Sequence, residues 1–103
     1  MNQSLKRLTL LVPDDLGEAL LETLLDLRPA LPGFTTMAVS GHGERFDGAS
    51  VRERVRGRIE RRMAWLVLPA EDVTRVLQQL RERMPHPDIV WWVEPVDSMG
   101  RLA

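Results

Sequence analysis

The sequence predicts an α+β fold: a ferredoxin-like βαββαβ sandwich with a four-stranded antiparallel sheet and a long loop between strands 2 and 3. Three observations carry this reading. Two segments with apolar residues at helical spacing each follow a proline that closes a strand-like run, at Pro13 and Pro69. Four β-prone runs flank these helices in the order strand, helix, strand, strand, helix, strand, which is the split βαβ arrangement. The second and third strands are separated by a glycine- and arginine-rich stretch in place of a tight turn.

Leu5 to Val12 is rich in leucine and suits a strand with one face well buried. Pro13 stops it and opens a helix, with Asp14 and Asp15 in the first turn, where the helix dipole favours negative charge. Leu16, Ala19, Leu20, Leu24 and Leu27 then mark one helical face, and Leu21 and Leu25 widen the stripe. Pro29, Pro32 and Gly33 end that helix. Phe34 to Ser40 reads as the second strand, and Arg58 to Leu68 as the third, charged at first and then apolar. Ala70, Glu71 and Asp72 begin a second helix whose face is Val73, Val76, Leu77, Leu80 and Met84, stopped by Pro85 and Pro87. Asp88 to Val96 is a strand with apolar residues on both faces, and such a strand in so small a domain predicts burial against another subunit. Trp65, Trp91 and Trp92 fit that burial.

A chain of 103 residues supports one core, so residues 1–103 are expected to form a single domain with a flexible loop at about 41–58. The hydrophobic fraction of 44% excludes general disorder. A net charge of -1 argues against coating nucleic acid with the whole surface. The absence of cysteine removes disulfides, thiolate metal sites and cysteine nucleophiles. The apolar run from Leu8 to Val12 is too short for a signal sequence, and a cytoplasmic protein is expected.

The loop concentrates the chemistry. Arg52, Arg54, Arg56, Arg58, Arg61 and Arg62 face only Glu53 and Glu60 in the same span, a local excess of four positive charges. Guanidinium groups bind phosphate and carboxylate in a forked geometry, so the loop suits a small anion or an acidic patch on a partner. The same arginines also suit ion pairs within the fold, and Arg58, Glu60 and Arg62 would share one strand face. Arg56 and Arg58 bracket Gly57, which lets backbone approach an anion closely. His42, between Gly41 and Gly43, is a candidate metal ligand with Glu44 and Asp47 as oxygen donors, or a packing residue at the loop root. His86, between prolines, reads as an exposed turn residue. Ser50 and Glu53 have capping-box spacing for a short helical turn over 50–56. No nucleophile motif or paired carboxylates point to catalysis, so no enzyme and no cofactor are expected.

Val39-Ser40-Gly41-His42-Gly43 resembles the Val-x-Gly-x-Gly at the root of the long loop in the PII (nitrogen regulatory protein P-II) superfamily of ferredoxin-like trimers. The combination of Gly-His-Gly, Val-Arg-Gly-Arg at 55–58 and Trp92-Val93-x-Pro95-Val96 is similar to a small PII-like group encoded near heavy-metal efflux systems. The resemblance implies a homotrimeric, non-enzymatic signalling or adaptor protein. Gly41, Gly43, Arg56, Arg58 and Arg101 would hold an anionic ligand. Arg45, Arg52 and Arg54 would meet a regulated partner, a membrane efflux system by that resemblance. A stand-alone small-anion or divalent-metal-binding protein without a protein target is the alternative, and a nucleic-acid partner is disfavoured.

Departures from the PII pattern carry their own expectation. Arg45 stands where the family has a magnesium-facing glutamine. Met84-Pro85-His86-Pro87-Asp88 replaces the glycine-rich phosphate loop, and the chain has no tyrosine for loop-tip modification. The paired basic residues after the last strand reduce to Arg101. ATP and 2-oxoglutarate are therefore not expected to bind together.

Overall fold

The computed structural model describes residues 4–42 and 58–103. Strand β1 spans Leu5–Pro13, a 3-10 turn covers Asp14–Leu16, and helix α1 runs Gly17–Asp26. Strand β2 is Thr35–His42, β3 is Arg58–Pro69, α2 is Ala70–Arg83 and β4 is Val90–Val96. All neighbouring strands are antiparallel in the order β2-β3-β1-β4, with β1 and β3 central. This is the ferredoxin-like order that the sequence predicts.

Alternation along the strands divides the sheet into two faces. Leu8, Leu10 and Val12 of β1 and Ala64, Leu66 and Leu68 of β3 point to the helices and are essentially fully buried. Against them pack Leu20, Leu24 and Leu27 from α1 and its end, and Val73, Val76, Leu77 and Leu80 from α2. Each buried leucine contributes about 1.5–3 kcal/mol relative to exposure, so this leucine-rich layer is the main stabilising term. Helix α2 carries Glu71 and Asp72 in its first turn and Arg81 and Arg83 in its last, matching the dipole at both ends. Arg83 reaches Asp26 at 2.9 Å and ties the C-terminal ends of the two helices.

Several details differ from the sequence reading. The residues after Pro13 form a 3-10 turn first, and α1 begins only at Gly17. Ala19 and Leu25 lie outside the buried stripe, Leu25 being 63% exposed, and the buried residues from this segment are Gly17, Leu20, Thr23, Leu24 and Leu27. Gly41 and His42 belong to β2, held by pairing opposite Ile59 and Arg58. Strand β4 starts at Val90, after a turn in which the Ile89 amide donates to the His86 carbonyl. The capping-box segment lies outside the described residues.

The face away from the helices is also apolar. Register aligns Met37, Met63, Leu11 and Val90 in one row, and Thr35, Trp65, Thr9 and Trp92 in the next. Thr9 is buried between the two indoles although no helix covers it. Trp91 points to the opposite, helical face, since it pairs with Leu10, and so does not join Trp65 and Trp92. In the third row Arg7 donates to Glu94 at 2.8 Å, and its guanidinium lies 5.7 Å from the centre of the Trp65 ring. The Trp92 indole N–H donates to the same carboxylate oxygen at 3.0 Å.

These hydrogen bonds, that from Arg7 foremost, hold the Glu94 carboxyl below its usual pKa, against an opposing effect of desolvation. A lowered folded-state pKa means that the pair stabilises the fold above the ordinary carboxylate range and is lost as pH falls through the lowered value. Glu94→Gln is therefore expected to unfold at lower temperature than wild type at neutral pH. The gap should close as pH falls below the ordinary glutamate range. Thermal melts across that range check it; a gap of constant size would show that the carboxylate charge is not the cause.

Candidate functional site

The ends of β2 and β3 form the candidate site, because residues 43–57 depart from them. On this ribbon Thr36, Ala38, Ser40 and His42 are exposed on the helical side, since the helices sit over β1 and β3 and leave edge strand β2 uncovered. The last pairs are Ser40 opposite Glu60, Gly41 opposite Ile59 and His42 opposite Arg58. His42 and Arg58 thus share the helical face, while Gly41 and Ile59 share the other. Ile59 is 8% exposed and stands apart from the main leucine core.

Arg58, Glu60 and Arg62 lie on one face, as the strand period predicts. Their environments differ. Arg58 Nε is 3.3 Å from Glu60 and both side chains are about two-fifths exposed. Arg62 instead turns toward the start of α1, where it lies 3.5 Å from Asp14 and 3.9 Å from Glu18. Its side chain crosses Gly17 so closely that an added Cβ would meet the Arg62 Cζ at 3.1 Å. Glycine at this position is therefore the companion of an arginine on β3. Arg62 acts as a tie between sheet and helix, whereas Arg58 stands at the mouth of the ribbon.

Of the candidate ligand residues, Gly41, His42 and Arg58 come together at this root. Arg101 follows β4, whose last residue pairs with Leu5 at the opposite end of the sheet from His42 and Arg58. Gly43, Arg45, Arg52, Arg54 and Arg56 lie outside the described residues, as do Glu44 and Asp47. Among the described residues no group of three or more metal-ligating side chains gathers around His42. Sequence reasoning missed the Arg7–Glu94–Trp92 cluster. Only the pairing of β1 with β4 brings it together, across 87 positions of chain.

Arg62→Ala is expected to lower stability by up to about 1 kcal/mol, the usual ceiling for pairs with exposed carboxylates. Arg58→Ala should leave it unchanged within error. Urea unfolding of the two variants measures the difference, and equal losses would remove the distinction between a tie and a site arginine.

Comparison with known proteins places this geometry. Residues 2–103 match the family described as Protein of unknown function (DUF3240). The crystal structure of a DUF3240 family protein from Shewanella baltica superposes with a TM-score of 0.75 at 21% identity, covering 100% of both chains. CPII from Thiomonas intermedia, a nitrogen regulatory PII-like protein bound to ADP, AMP and bicarbonate, superposes with a TM-score of 0.67. Its identity is 23%, with 97% of each chain covered. A signalling protein from Thermus thermophilus described as PII-like gives a TM-score of 0.59 at 28% identity, covering 91% of this chain and 88% of that one. Among curated proteins no match is found. The fold is that of the PII-like proteins, with the same ferredoxin-like sheet. No helix of the described residues is long and apolar enough to cross a membrane.

Proposed function

This chain belongs to the DUF3240 family, and we propose that it acts as a PII-like regulator, a non-enzymatic adaptor that assembles through its sheet and signals through residues 43–57. The observation that carries the reading is the sheet face without helices. Met37, Met63, Leu11, Val90, Trp65 and Trp92 lie in adjacent rows on it, and Met37, Val90 and Trp92 are exposed there. A homotrimer of single-domain chains covers that surface and presents three arginine-rich segments. Light scattering in dilute buffer is expected to give about three times the chain mass of 11.8 kDa. A stable monomer at micromolar concentration would overturn the assembly.

The ligand side of the reading rests on the root of β2 and β3. An anion there would lie against Gly41, Gly43, Arg56 and Arg58. Arg101 follows the far end of its own sheet, so a second copy is the natural source of that arginine. The partner meets Arg45, Arg52 and Arg54, and the resemblance to proteins encoded beside heavy-metal efflux systems makes such a system the first partner to test. His42 is the residue to test for a divalent metal. A stand-alone anion- or metal-binding role would show as ligand binding with no protein captured.

Adenine nucleotides and bicarbonate, the ligands of CPII, are the first anions to titrate. ATP and 2-oxoglutarate are not expected to bind jointly, since Pro85 and Pro87 lack amide hydrogens and Asp88 repels phosphate. Calorimetry with Mg-ATP, with and without 2-oxoglutarate, checks this. ATP binding that 2-oxoglutarate tightens would refute it. Any anion that does bind should lose about tenfold in affinity in Arg58→Ala, the worth of a charged hydrogen bond.

A further inference from the structure

A cleft opens on the helical side of the sheet, between the C-terminal half of α2 and edge strand β4, away from the root of β2 and β3. It holds about 180 Å³. Leu77, Leu80 and Ile89 line its apolar floor, and Arg81, His86 and Trp91 stand at its mouth. We propose that this cleft binds a small monocarboxylate with a compact apolar body, the carboxylate held by Arg81 and His86.

The donors carry the argument. Arg62, Arg75 and Arg83 each lie within ion-pair distance of a carboxylate, as does Arg7 on the open face. Arg81 has no carboxylate partner among the described residues. Its guanidinium lies 5.9 Å from the centre of the Trp91 ring, so the indole steadies a cation at the mouth. The His86 Nδ1 accepts a hydrogen bond from the Asp88 amide at 3.1 Å, which leaves the proton of the neutral ring on Nε2. A guanidinium and an imidazole N–H together match the two oxygens of a carboxylate.

The floor and the surroundings select the rest of the ligand. An apolar cavity of roughly 150 Å³ accepts a benzene-sized guest, so the body is about that size or slightly larger. A phosphate dianion fits poorly, because the adjoining connection contains Pro85 and Pro87, has no glycine and lies at the carbonyl end of α2. A cationic ligand would be repelled by Arg81. Trp91 pairs with Leu10 on the helical face, so the cleft is also distinct from the apolar surface proposed to bury between copies.

The test is an NMR titration of the full chain with phenylacetate and, separately, with its neutral counterpart 2-phenylethanol. Saturable shifts are expected at the methyls of Leu77, Leu80 and Ile89 and at the Trp91 indole N–H. Arg81→Gln should weaken phenylacetate about tenfold while leaving 2-phenylethanol unchanged. Ile89→Phe, which fills the floor, should weaken both. Scattered or non-saturating shifts would overturn the site. Equal binding of both probes, or an Arg81→Gln variant that binds phenylacetate like wild type, would overturn the assignment of a carboxylate. Among the described residues none from the root of β2 and β3 lines the cleft, so failure of the regulator reading leaves this outcome untouched.

Discussion

Strand β1 is the constraint on which the rest depends. It pairs with β3 along all nine residues from Leu5 to Pro13 and with β4 from Leu5 to Leu11. Its alternate residues Leu8, Leu10 and Val12 are the centre of the leucine core. A slip of one residue would turn these outward and bring Arg7, Thr9 and Leu11 beneath the helices, so burial locks the register. With that register fixed, every row of the sheet is fixed too, including those on the face without helices. The side of β1 away from the helices carries Arg7, Thr9 and Leu11, so the sheet has one face covered by helices and one that no helix covers.

Much of the fold was legible in the sequence because it is locally written. Helical spacing from Val73 to Leu80 and the acidic first turn after Pro69 describe α2 without reference to any other element. The same holds for the order of strands and for Arg58, Glu60 and Arg62 sharing a face. What was not legible depends on distant residues. Gly41 and His42 look like loop until Ile59 and Arg58 are set opposite them. Gly17 looks like an ordinary helix residue until Arg62 crosses it. Trp91 and Trp92 look equivalent until pairing with Leu10 and Thr9 sends them to opposite faces. In the candidate site Gly41, His42 and Arg58 stand out by residue type and by the PII resemblance, while their meeting at one root comes only with strand pairing. Arg81 does not stand out, because a last-turn arginine reads as a complement to the helix dipole.

The arginines show why composition says little about function here. The chain has nearly balanced charge, yet the fold distributes carboxylates unevenly among its guanidinium groups. Arg7 is matched by Glu94 across β1 and β4 on the face without helices. Arg62 is matched by Asp14 and Glu18 and spans sheet and helix, while Arg83 is matched by Asp26 and joins the helices. Each of these is held by an acidic group from another element, and its role is to keep two elements in place. Among the described residues the carboxylate beside Arg58 is that of Glu60, two residues away on its own strand. Arg81 has an aromatic ring and no carboxylate among the described residues. An arginine that lacks a carboxylate from another element adds little charge pairing to the fold. Its guanidinium is then available to a ligand, and Arg81 lies where the fold leaves space for one, at the mouth of the α2–β4 cleft.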